Sequence, residues 1–69
     1  MEILIILTTE STKTKALKLA KLLIKRKLAA CVSIKKILSI YEWEDQIEKT
    51  KEYEITIKSK PELKDDLII

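Results

Sequence analysis

Four features of this 69-residue sequence predict an α+β fold, a ferredoxin-like split βαβ sandwich in an incomplete βαββα form. An unbroken apolar run, Ile3–Leu7, opens the chain. One helical stripe follows, and then two long segments with period-two alternation. A proline then opens a second helical segment. The last strand of the full βαββαβ order is absent from this pattern. The length allows one domain at most, residues 1–69. A chain this short buries only about 60% of the surface it exposes when unfolded.

The first strand is read over Glu2–Thr8, because a continuous apolar run suits a strand covered on both faces. Thr8-Thr9-Glu10-Ser11 reads as a polar turn, and Ser11 or Thr12 can cap a helix by accepting a free N–H of its first turn. The helix is predicted to run to about Lys27. Ala16, Leu19, Ala20 and Leu23 form its inner stripe, and Lys15, Lys18, Lys21 and Lys25 lie away from it. Cations at Lys25, Arg26 and Lys27 oppose the carbonyl dipoles of the last turn.

A long second strand, Ala30–Trp43, follows. Its alternation slips in phase, and a bulge near Lys35-Lys36 would account for the slip. Beyond that point both faces are apolar. Ile37, Tyr41 and Trp43 lie on one and Leu38 and Ile40 on the other. The third strand, Ile47–Ile57, alternates more cleanly, with Glu48, Thr50, Glu52, Glu54 and Thr56 on its polar face. A loop of odd length at Glu44-Asp45-Gln46 would set Trp43 opposite Ile47 and Ile37 opposite Tyr53, matching apolar to apolar, and that register is predicted. Pro61 starts a second helix whose inner face is read as Leu63, Leu67 and Ile68. Without a further strand the first strand is an apolar edge open to aggregation. Either the chain is a fragment or another chain covers that edge.

Composition excludes several functions. With 46% hydrophobic and 36% charged residues, the chain is neither disordered nor membrane-spanning, and no apolar run approaches the roughly 20 residues a spanning helix needs. Glu2 stands where a signal peptide would be basic. One cysteine cannot form an internal disulfide, so a reducing, cytoplasmic setting is expected. The absence of Gly and His removes phosphate-cradling loops, Ser–His–Asp triads and His-based metal sites within one chain. The net charge is +3, and every charge between Ser11 and Lys36 is positive. That half raises a nucleic-acid reading. The basic residues there are lysines apart from Arg26, with no aromatic among them for stacking, so a solvated helix face is the better account and nucleic acid is not an expected partner.

Leu28-Ala29-Ala30-Cys31-Val32, then Ser39-Ile40-Tyr41, then Trp43-Glu44, resemble the signature of the CutA divalent-cation tolerance family. Thr8-Thr9, Ala16, the Leu22-Leu23 pair, Glu52 and Lys58 fall at that family's spacings. The resemblance implies a ferredoxin-like domain assembled into a tight homotrimer, with strands paired between subunits. The chain departs from the family at Asp45 and Lys36, where Gly and Pro are usual, and at Lys58-Ser59, where Lys-Thr is usual. It also ends before the family's C-terminal His-Pro-Tyr-Glu region.

By the resemblance, Cys31 matches the family cysteine proposed in copper binding. A thiolate suits copper or zinc, but a lone thiol is a poor site, and free Cys also packs as a small hydrophobe. Tyr41 and Trp43 serve either as core or interface packing or as walls of a cleft between subunits. Glu52 and Lys58 are either paired polar groups in such a cleft or exposed strand residues. Glu42, Glu44, Asp45 and Glu48 offer hard oxygen ligands, although adjacent hairpin carboxylates are usually just solvated. No nucleophile–base–orienter constellation is present, so no catalytic residue is named. The expected function is a non-enzymatic, cytoplasmic homotrimer linked to tolerance or binding of copper or another divalent metal, with no cofactor needed for folding. The alternative is a regulatory or scaffold trimer holding a small metabolite or anion at its subunit clefts.

Overall fold

The computed structural model describes residues 2–67. Its elements are β1 (Leu4–Glu10), α1 (Lys13–Lys25), β2 (Cys31–Trp43), β3 (Gln46–Ser59), a 3₁₀ turn (Pro61–Leu63) and a short α2 (Lys64–Leu67). The strands form one antiparallel sheet in the order β1-β3-β2. This is the βαββα arrangement expected. Among the described residues β1 is an edge, the position the fold normally gives to a neighbour of the missing last strand.

Local chemistry fixes the ends of α1. Thr12 is extended (φ −130°), and its hydroxyl accepts the Lys15 N–H at 3.2 Å, so the N-cap is Thr12. The helix ends at Lys25 because Lys27 turns left-handed (φ 59°). There the Lys27 N–H donates to the Ile24 carbonyl and the Leu28 N–H to the Leu23 carbonyl, a Schellman closure made without glycine.

The core lies where α1 crosses the sheet. Ala16, Leu23, Ala29, Ile55 and Ile57 are buried, and Ile6, Leu19, Leu28, Val32, Ile34, Tyr53 and Leu67 pack around them. Ala16 is small enough to bring the helix backbone close to Ile55, and both are wholly buried. The Ser59 hydroxyl is also buried and donates to the Leu28 carbonyl, tying the end of β3 to the loop after α1.

Four expectations are corrected. Thr8-Thr9-Glu10 is strand, not turn, because these residues pair with Ile55, Glu54 and Tyr53 of β3. There is no bulge at Lys35-Lys36, since Lys35 faces Glu54 and Lys36 faces Tyr53 in an unbroken ladder. The hairpin register is even, with Trp43 opposite Gln46 and Ile37 opposite Glu52. Its turn has two central residues, Glu44 (φ 50°) and Asp45 (φ 63°), both left-handed as a type I′ turn requires. Turn geometry therefore outranks apolar matching here. Finally, Pro61 opens a 3₁₀ turn, and α-helical pairing begins only at Lys64. The expectation for Ile68 lies outside the described residues.

The hairpin reaches well beyond α1. Leu38, Ile40 and Ile47 on the helix side are more than half exposed, and so is Trp43 on the opposite side. Ile5 and Leu7 of β1 are equally bare on that opposite side.

Two stability outcomes follow. Ile55→Ala is expected to cost about 2–4 kcal/mol, enough to unfold a domain this small, as read by urea denaturation. Lys27→Gly and Asp45→Gly relieve left-handed backbone and are expected to raise stability by about 1 kcal/mol each, as read by the thermal midpoint.

Candidate functional site

The register settles which candidate residues can meet. Cys31, the first residue of β2, sits opposite Lys58 of β3, and the Ala30 N–H donates to the Lys58 carbonyl at 2.9 Å. Cys31 is exposed and its thiol is free. It lies on the sheet face opposite α1, at the wall of an apolar groove of about 620 Å³. Ile3, Lys58 and Pro61 line the same groove, with the carboxylates of Glu2 and Glu62. Neither carboxylate completes a ligand set. Among the described residues no three His, Cys, Asp or Glu side chains converge on a point where a metal ion could sit. The described residues therefore offer a thiol at this place and not the four protein ligands of a tetrahedral site.

Glu52 lies on the same open face, midway along β3. Its Oε2 accepts the Ser39 hydroxyl at 3.1 Å, a diagonal contact across the ladder. Further out, the Tyr41 hydroxyl and the Thr50 hydroxyl are 2.9 Å apart, again diagonally. Trp43 ends β2 beside the turn and is 63% exposed. Glu42 falls on the helix side of the hairpin and Glu48 on the open side, so the pleat separates the acidic cluster.

The structure thus joins Cys31 to Lys58, leaves Glu52 alone in the middle, and groups Tyr41 with Trp43 at the far end. At ~3.3 Å per residue, Cys31 and Trp43 stand roughly 40 Å apart. No single-chain cleft contains all five. Sequence reasoning missed the groove by Cys31, and its only signal was the even register that brings Lys58 and Pro61 to that end. Among the described residues no helix is long and apolar enough to cross a membrane.

Comparison with known proteins gives a consistent picture. The family model described as CutA1 divalent ion tolerance protein matches residues 4–69. The divalent-cation tolerance protein CutA of Archaeoglobus fulgidus is 39% identical over 54 residues, covering 78% of this chain and 53% of the relative. Its structure, solved as the periplasmic divalent cation tolerance protein CutA, aligns with TM-score 0.85 at 34% identity over 94% of this chain and 64% of that one. CutA from Synechococcus elongatus PCC7942 aligns with TM-score 0.89 at 38% identity, over 94% of this chain and 58% of the other. The Synechococcus protein has also been solved complexed with a Bis-Tris molecule (TM-score 0.87, 38% identity, 94% of this chain and 60% of that one). The chain spans about half to two thirds of the length of these relatives.

In the isolated chain Cys31 is expected to react with a maleimide at the rate of an unhindered thiol. A rate slowed more than about tenfold would mean that the groove wall is covered.

Proposed function

The chain belongs to the CutA1 divalent ion tolerance family, and from that premise we propose that it is a non-enzymatic metal-tolerance protein that works as a homotrimer. The observation that carries this reading is the family match along residues 4–69. The apolar hairpin faces left bare in one chain support the assembly, since an isolated two-stranded ribbon is at best marginally stable in water. Three copies around an axis would bury those faces and shelter the β1 edge.

In this reading Cys31 is the protein's own metal ligand. Its exposed thiol and apolar surroundings suit a soft, low-coordinate cation such as Cu(I). Further ligands would have to join it, for example from neighbouring subunits or solvent, because the described residues do not gather them. The metal is cargo, and the fold does not need it. A free thiol fits a reducing compartment such as the cytoplasm, and this placement is part of the proposal. The periplasmic description of the Archaeoglobus relative makes compartment a property to be measured.

A second reading is favoured by the Bis-Tris complex of the Synechococcus protein. Clefts between subunits, walled by Tyr41 and Trp43 with Glu52 and Lys58 as polar groups, would then hold a small metabolite or anion.

Titration of Cu(I) into the wild type and Cys31→Ser separates the two. At least a tenfold loss of affinity in the variant supports the thiol site. Equal affinity and stoichiometry remove Cys31 from it, and a melting shift produced by small metabolites but not by metals favours the cleft.

A further inference from the structure

The sheet separates two sides of unlike charge, and α1 carries most of the difference. Residues 13–27 hold seven cations and no acid, and all seven are exposed. By the helical period Lys18, Lys21 and Lys25 form a row on the face opposite the buried Ala16 and Leu23. Apolar side chains flank that row. Leu17 and Ile24 lie along one edge of it and Leu22 along the other, and they are 39%, 45% and 42% exposed in that order. On the same side of the sheet the hairpin adds Lys36, Lys49 and Lys51 against Glu42. The open side of the hairpin carries Glu48, Glu52 and Glu54 against Lys35 and Lys58. The elements before and after contribute Glu10 at the end of β1, and Glu62, Asp65 and Asp66 with Lys64 after β3.

A lysine row with apolar flanks on a convex helix suits a planar anionic surface. Lysine stems lie along apolar surface while their ammonium groups stay in the polar layer, and leucines beside them enter the boundary of the acyl chains. A nucleic-acid duplex fits less well. It would set Leu17, Leu22 and Ile24 against phosphate and water, and the row has neither the arginines that read base edges nor an aromatic for stacking. We infer that the outer face of α1 docks peripherally on an anionic lipid bilayer, with Lys18, Lys21 and Lys25 at the headgroups and Leu17, Leu22 and Ile24 among them. The acidic open side is repelled by the same surface, so charge also sets the orientation of the bound molecule. This goes beyond the metal-tolerance reading and requires no metal. It holds for one copy or several, and several would add avidity.

The test is co-sedimentation with two kinds of vesicle, pure phosphatidylcholine and phosphatidylcholine containing about one third phosphatidylglycerol, at low and high salt. Two variants accompany the wild type. Lys18→Gln/Lys21→Gln/Lys25→Gln removes the charge, and Lys18→Arg/Lys21→Arg/Lys25→Arg keeps it. Both replacements are good helix formers at exposed positions, and far-ultraviolet circular dichroism checks that α1 is retained. The wild type and the arginine variant are expected to partition at least about tenfold more strongly to the anionic vesicles than to the neutral ones. The glutamine variant is expected to lose most of that preference, and high salt to weaken it in the wild type. Equal binding of the wild type to both vesicles overturns the inference, as does a folded glutamine variant that binds like the wild type. An arginine variant as weak as the glutamine variant overturns it too, because charge would then not be the cause. Tighter retention of the wild type by a random-sequence DNA duplex than by the anionic vesicles, at matched phosphate concentration, overturns it in favour of a nucleic-acid partner. None of these outcomes bears on the Cys31 thiol, which Cu(I) titration tests separately.

Discussion

One short helix has to cover a long sheet, and it cannot. At ~1.5 Å per residue α1 is roughly 18 Å long, while β3, a twisted strand at ~3.2 Å per residue, extends roughly 40 Å. The molecule is correspondingly elongated, 42 × 23 × 20 Å. The buried core is confined to the end where α1 lies, around Ala16, Leu23, Ile55 and Ile57. The far half of the hairpin has no layer of its own, so its isoleucines, leucine and aromatics stand in water. A fold must bury the apolar side of each layer against another element. Here the chain supplies that element at one end only. The bare apolar half of the hairpin is in that sense a consequence of two lengths.

The same mismatch explains why the turn sets the register. Where a hairpin packs on its own core, a one-residue slip moves a whole apolar set into water and is strongly opposed. Over Lys36–Tyr53 most side chains are exposed in either register, so a slip changes little burial within one chain. The two-residue turn at Glu44-Asp45 then decides, despite the cost of two left-handed residues without glycine. Its choice propagates along the ladder to Cys31, which meets Lys58, whereas an odd register would have placed it opposite Ser59.

Elements governed by local chemistry were legible in the residues. The stripe Ala16–Leu19–Ala20–Leu23 and a cap at Ser11 or Thr12 place the start of α1, and its end falls two residues before the expected Lys27, because helix signals act within one or two turns. The strand order follows from the ferredoxin-like reading, and the family from the residues around Cys31 and Tyr41. What was not legible depends on partners distant in sequence. Thr8-Thr9-Glu10 has turn-like composition but is strand because β3 is there to pair with it. The phase slip at Lys35-Lys36 is a change in what covers the strand, not in its backbone. Before it, Val32 and Ile34 are the half-buried residues, and after it Ile37 and Ser39 are. The candidate residues do not converge on one place, since Cys31, Tyr41 and Trp43 spread along β2 and Glu52 and Lys58 along β3.

That spread bears on how a metal-tolerance role could work. Among the described residues the Cys31 thiol has no converging set of carboxylates, and a lone thiol holds a cation weakly, so a tight site needs ligands from elsewhere. If neighbouring copies supply them, metal binding and assembly share one free energy, and each strengthens the other by the same factor. With no His in the sequence and no ligand cluster among the described residues, a response to metal would then run through the state of association.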